Sequence, residues 1–92
     1  MRTDTLHRLV ALAALADAGS LTGAARRMGL VKSSVSHHIA ALERETGARL
    51  VDRGGRNLAL TAIGHELAAH GRIIARASAD ALLASRAGER PE

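Results

Sequence analysis

The chain contains no Phe, Tyr or Trp, and that absence constrains its fold more than any other feature. Without large rings, a chain of 92 residues must close its interior with Ala, Leu, Ile and Val, and Ala and Leu dominate. Small side chains let helices approach closely, but each removes little apolar area from water. The core is therefore thin, and a lone protomer should be marginally stable, which favours a partner chain. The length is that of one domain, near the low end for a self-supporting core. With 47% of residues apolar, the chain is not a disordered tail. There is no Cys, so a disulfide framework and a thiolate metal site are both excluded.

No apolar run approaches the roughly 18–20 residues needed to span a bilayer. The opening MRTDTLHRLV carries Asp4 and reads as the start of a helix, not as a signal peptide. A cytoplasmic location and no membrane partner are expected. Net charge is +4, and its distribution is the informative part. Residues 21–61 hold Arg26, Arg27, Lys32, Arg44, Arg49, Arg53 and Arg56 against Glu43, Glu45 and Asp52, while basic and acidic groups balance over the remainder. All the excess positive charge thus falls in the middle of the chain, which suits a polyanion.

Punctuation divides the chain into helices. The first runs from a cap among Thr3, Asp4 and Thr5 to about Ala18, with Leu6, Leu9, Val10, Ala13 and Ala16 on its apolar stripe and Gly19 at the stop. Ser20 or Thr22 caps a short second helix, in which Ala24, Ala25 and Met28 face inward before Gly29. A third starts near Ser33, carries Val35, Ile39 and Leu42 at spacings of four and three, and ends at Gly47. RLVDRGGRNLAL then reads as two short strands around Gly54-Gly55. Thr61 caps a long fourth helix reaching about Ser85. Helix, helix, tight turn, helix, hairpin, helix is the order of a winged helix-turn-helix. The expected fold is mainly α: a three-helix core, a short β-hairpin wing and a long C-terminal linker helix. The winged domain is placed at 1–61, the linker and dimerisation helix at 62–86, and a disordered tail at 87–92.

From Leu9 to Gly64 the sequence resembles, without a gap, the N-terminal DNA-binding domain of LysR-type transcriptional regulators. The residues that carry the likeness are LVALAALADAGSLT, Ala24-Ala25 followed by RRM, and SSVSHHIAALERETGARL. Within the last run, Ser36, Ile39, Leu42, Glu43, Gly47, Arg49 and Leu50 fall on the family's positions. The wing is similar too, with Arg53, Gly55-Arg56, Leu60-Thr61 and Gly64. Val31-Lys32-Ser33 departs from the family's usual Ser-Gln-Pro or Thr-Pro, so the base preference is not inherited, and the cap is expected to fall to Ser33. Leu12, Leu21 and Val51 stand where the family often has Phe.

The resemblance implies sequence-specific binding of double-stranded DNA by a transcription regulator. A helix-turn-helix, here Leu21 to Ala40, inserts the start of its second helix into the major groove. That start comprises Lys32, Ser33, Ser34, Ser36, His37 and His38, with Val35 and Ile39 turned inward. Thr22 and Arg26 are placed to clamp a phosphate, and the wing's Arg53 and Arg56 to follow the backbone and enter the minor groove. The fourth helix spaces Ile63, Leu67, His70, Ile74, Ala77 and Ala81 by fours and threes, as in a coiled coil. The family's helix pairs antiparallel with its twin, so a homodimer reading an interrupted inverted repeat is expected. Adjacent His37 and His38 point about 100° apart, and His65 and His70 are poorly matched on one face, so no metal or other cofactor is expected. No paired carboxylates, nucleophile elbow or phosphate-cradling loop points to an enzyme. The family's effector-sensing domain is not within these residues, so no small-molecule effector site is expected in them. The alternatives are a winged-helix protein-interaction adaptor, which seldom concentrates positive charge on its third helix and wing, and a small MarR-like repressor.

Overall fold

A computed structural model describes residues 3–53 and 58–88, and side-chain surroundings for 4–53 and 58–86. Four helices and one hairpin follow in order: α1 (Thr3–Ala18), α2 (Leu21–Met28), α3 (Lys32–Thr46), β1 (Val51–Asp52), β2 (Ala59–Leu60) and α4 (Ala62–Gly88). The strands pair antiparallel, with Val51 opposite Leu60 and Asp52 opposite Ala59. The wing's turn, Gly54-Gly55 with Arg56, lies outside the described residues, as does the end of the expected tail from residue 89. Among the described residues no helix is long and apolar enough to cross a membrane.

The core is built as a chain without aromatics requires. Leu12, Leu15, Val35, Ile39, Leu42, Leu50 and Val51 are fully buried, and Ala11, Ala24, Ala25 and Ala68 fill the spaces between them. Leu12 and Val51, at positions often held by Phe in the resembled family, are among these. Leu21, the third such position, packs half-buried against the same cluster. Aliphatic side chains thus replace the missing ring volume.

The turn between α2 and α3 depends on Gly29, whose φ of 67° is a left-handed conformation that a Cβ would penalise. Its amide closes on Ala25 and Arg26 carbonyls, and Leu30 donates to Ala25 O at 2.9 Å, the reverse turn that commonly ends a helix at glycine. The cap expected at Ser33 does not form. α3 begins at Lys32 with Val31 as its N-cap, and no side chain caps it. Ser33 lies inside the first turn. The Val31 carbonyl receives the amides of Ser34 at 3.1 Å and Val35 at 3.3 Å, so the helix closes two residues earlier than a cap at Ser33 would place it.

α4 reaches Gly88, beyond the expected end near Ser85. Its approach to the domain is set by two glycines. A Cβ on Gly64 would stand 2.1 Å from the Leu50 carbonyl oxygen, and one on Gly71 2.1 Å from that of Leu9. Backbone therefore lies against backbone at both points, fixing α4 across the wing root and along α1. Gly71, which interrupts the apolar repeat in the sequence, is a point where α4 lies against the α1 backbone.

Candidate nucleic-acid interface

Ser20 begins the helix-turn-helix. Its hydroxyl accepts the Gly23 amide at 3.0 Å, satisfying one of the free donors at the start of α2. Ala24 and Ala25 are buried and bring α2 close to its neighbours, which leaves Thr22 and Arg26 exposed on the opposite side. α3 buries Val35, Ile39, Ala41 and Leu42. That orientation exposes Lys32, Ser33 and His37 and leaves Ser34, Ser36 and His38 half-buried. The fold thus leaves Lys32, Ser33 and His37 on the solvent side of α3 and Thr22 and Arg26 on that of α2. At the head of α3, Lys32 is exposed, and no side chain caps the start of the helix. A helix start of this kind carries partial positive charge and favours an anion.

His38 is placed differently from its neighbours. Its ring stacks on His7 of α1, with centroids 6.4 Å apart and planes within 16°, and meets His37 edge-on at 6.4 Å. Its Nδ1 is buried without a partner. Burial, followed by the charges of His7, His37 and Arg8, holds its pKa below the ordinary histidine value, and Asp4 only partly opposes them. A neutral His38 braces α3 against α1, while His37 faces solvent. On the same side, Arg8 of α1 pairs with Glu45 of α3 at 3.0 Å.

The wing root is organised by Glu43, a residue that the pattern of the sequence marks but does not explain. Its Oε2 accepts the amides of Leu50 at 2.9 Å and Val51 at 3.3 Å, and its Oε1 meets Arg53 at 3.5 Å. Burial opposes ionisation, but the two amides and Arg53 outweigh it and hold the carboxyl below its ordinary value. Arg53, half-exposed, is thereby held at the edge of the wing near the end of α3. The second strand is tied down by Thr61, whose hydroxyl donates to Arg49 O at 2.7 Å and accepts the Gly64 amide at 3.0 Å, capping α4.

Along α4, the residues of the sequence stripe divide. Leu67 and Ile74 are half-buried, with Leu67 packed on the core and Ile74 beside Leu6 and Val10 of α1. Ile63, His70, Ala77 and Ala81 are exposed. The face that docks on the domain is Gly64, Ala68 and Gly71. Ile73, Leu82 and Leu83, which the sequence repeat passes over, are 61–65% exposed. No group of three or more His, Cys, Asp or Glu among the described residues is arranged to hold a metal ion.

Comparison with known proteins places this geometry. The family described as bacterial regulatory helix-turn-helix protein, lysR family, matches residues 6–65. Over 84 residues, 91% of the chain, it is 39% identical to a probable hydrogen peroxide-inducible genes activator of Mycobacterium avium, of which it spans 27%. Over 64 residues it is 41% identical to an uncharacterized regulator, YfeR, of Shigella flexneri, of which it spans 21%. The chain therefore covers about a quarter of the length of such relatives. A structure of CbnR_DBD in complex with DNA superposes with a TM-score of 0.71 at 30% identity, covering 92% of this chain and 98% of that one. For OxyR of Corynebacterium glutamicum the TM-score is 0.77 at 23% identity, with 98% of this chain and 29% of that one covered, a likeness of fold. The family and these relatives are transcriptional regulators and not enzymes. The chain belongs to the lysR family of bacterial regulatory helix-turn-helix proteins, whose members bind DNA to regulate transcription.

Proposed function

We propose that this chain binds duplex DNA sequence-specifically as a homodimer, with α3 in the major groove and the wing on the backbone and minor groove. The observation that carries the reading is the head of α3. Lys32, Ser33 and His37 are exposed together there, beside amides that no side chain caps, on a fold also found in the CbnR_DBD–DNA complex. Ser34 and Ser36 flank this edge, Thr22 and Arg26 clamp a phosphate from α2, and Arg53 and Arg56 extend the contact along the wing. Two heads joined through α4 read half-sites related by a dyad, so the operator is an interrupted inverted repeat. The dimer is supported by the exposed apolar side chains of α4 and by its length. Its 27 residues span about 40 Å, more than the rest of a small domain covers. The protein acts in the cytoplasm, where its DNA is.

Affinity measured against salt tests the reading. A dimer neutralising on the order of 6–10 phosphates gives a log–log slope of about −5 to −9. A slope near zero with duplex DNA refutes it. An adaptor that binds protein through the same helix would give that result.

A further inference from the structure

Val31 stands at the N-cap of α3, where Ser, Thr, Asp or Asn would accept a first-turn amide and stabilise the helix. It makes no such bond. It is also 64% exposed, and of the large apolar residues exposed among the described ones, only Val31 and its neighbour Leu30 belong to the helix-turn-helix. The others lie on α1 and α4. The position therefore gives up a cap and leaves an apolar group in water.

Its geometry is nonetheless fixed. The backbone is extended, with φ −87° and ψ 157°, and the carbonyl receives two amides of α3. The preceding residue is tied to Ala25 through its own amide. Branching at Cβ stiffens χ1, so little side-chain freedom remains to be lost on contact. This is a rigid apolar knob at the mouth of α3, next to Lys32.

The DNA-binding reading, on which this inference rests, inserts that mouth into the major groove. The floor of the groove presents hydrogen-bond donors and acceptors and one apolar group, the C5-methyl of thymine. We propose that Val31 is a specificity-determining residue whose γ-methyls pack on the C5-methyl of a thymine in each half-site. The first-turn amides that its side chain leaves uncapped face the adjoining phosphate, so the same residue that reads the methyl frees the helix start for the backbone.

Deoxyuridine lacks only that methyl, which makes it the probe. Duplexes are first selected from a random library with the wild-type protein, and each thymine of the selected site is then replaced in turn by deoxyuridine. Burying one methyl group is worth about a fourfold change in affinity, or about fifteenfold for a dimer touching one in each half-site. The expected result is a penalty of that size at one symmetry-related thymine pair with the wild-type chain, and none at that pair with Val31→Ser. Circular dichroism checks that the variant, which gains a cap, is folded. A selected site without a thymine preference, or a deoxyuridine penalty that persists undiminished in Val31→Ser, overturns the assignment while leaving DNA binding intact. Failure of the library to enrich any duplex overturns both.

Discussion

Gly71→Ala separates packing from helix propensity by sign. In an isolated helix the change is stabilising, by about 0.8–1 kcal/mol. Here the new Cβ would lie 2.1 Å from the Leu9 carbonyl oxygen, 2.7 Å from its carbon and 3.0 Å from the Ala13 Cβ. Carbon atoms reach their best separation at roughly 3.5–4.0 Å, so α1 and α4 must part by more than about 1 Å. No flexible side chain can absorb the shift, because the obstruction is backbone. Parting the helices also loosens the contacts of Leu12, Ala13 and Ala68, all buried nearby, and a gap of that size forfeits a quarter to a half of each dispersion well. Overpacking costs typically 1–3 kcal/mol, and a backbone clash belongs at the upper end. After the propensity gain, the net loss is about 1–2 kcal/mol, or a fall of about 5–15 °C in Tm for a domain of this size. Far-UV circular dichroism at fixed protein concentration is the assay, since the chain has no Trp or Tyr. Ala69→Gly, at an exposed site on the same helix, calibrates the propensity term. A Tm equal to or above that of the parent chain refutes the close-packing argument.

Glu43→Gln leaves two backbone amides and Arg53 with a weaker acceptor and should cost about 1–2 kcal/mol. Because the Glu43 carboxyl is held below its ordinary value, its stabilisation is present above about pH 4.5 and lost as pH falls through the folded pKa. Acid melts of the parent and the variant should therefore converge, and parallel curves would reject this role. His38 adds a loss in the same direction at higher pH: its folded pKa is also lowered, so below about pH 6.5 the unfolded chain takes up a proton that the fold resists. Stability should fall from neutral pH toward 5, and His38→Gln should flatten that slope. An unchanged slope would show that the His7–His38 stack is not the source.

Much of the fold is legible in the sequence because its stops are chemical. Gly19, Gly29 and Gly47 end helices at left-handed turns, and Ser20 and Thr61 cap with hydroxyls. Val31 defeats the same logic. A polar cap is the expected signal, and the chain instead closes α3 through a carbonyl that any residue possesses. Gly71 fails to announce itself for another reason: in one dimension it interrupts an apolar repeat, and only the crossing of α1 makes it the contact point. The exposed edge of α3 could be read because its buried counterpart, Val35, Ile39 and Leu42, is spaced as a helix requires. Glu43 was visible only as a matched position, since its partners lie seven to ten residues away across a turn. The sequence groups His38 with the reading residues, yet the direction of its ring depends on His7, 31 positions earlier in the chain.

The proposed dimer seam is where sequence spacing and structure diverge most usefully. The repeat makes Ile74 the outermost apolar residue, but Ile74 is half-buried beside Leu6 and Val10, so a charge there would disturb the domain as well as any interface. Ile73 and Leu83 are 65% and 62% exposed and, ten residues apart, lie within about 80° of one another around α4, away from the docking face of Gly64, Ala68 and Gly71. Leu82 points to the other side and lines the groove with Ile74, Leu6 and Val10. Completing the burial of a Leu or Ile already one-third covered is worth about 1–1.5 kcal/mol, and a two-fold axis doubles each contribution. Two such residues on each of two protomers give about 4–6 kcal/mol, most of the roughly 8 kcal/mol of a micromolar complex. Replacing both with Glu removes that gain and sets carboxylates against one another. The double variant should sediment as a monomer at concentrations where the parent is a dimer, and keep the parent's helical content. It should bind two half-sites independently, so that changing their spacing no longer alters affinity. If the double variant stays dimeric and still requires one spacing, the protomers join through another surface and α4 is not the seam.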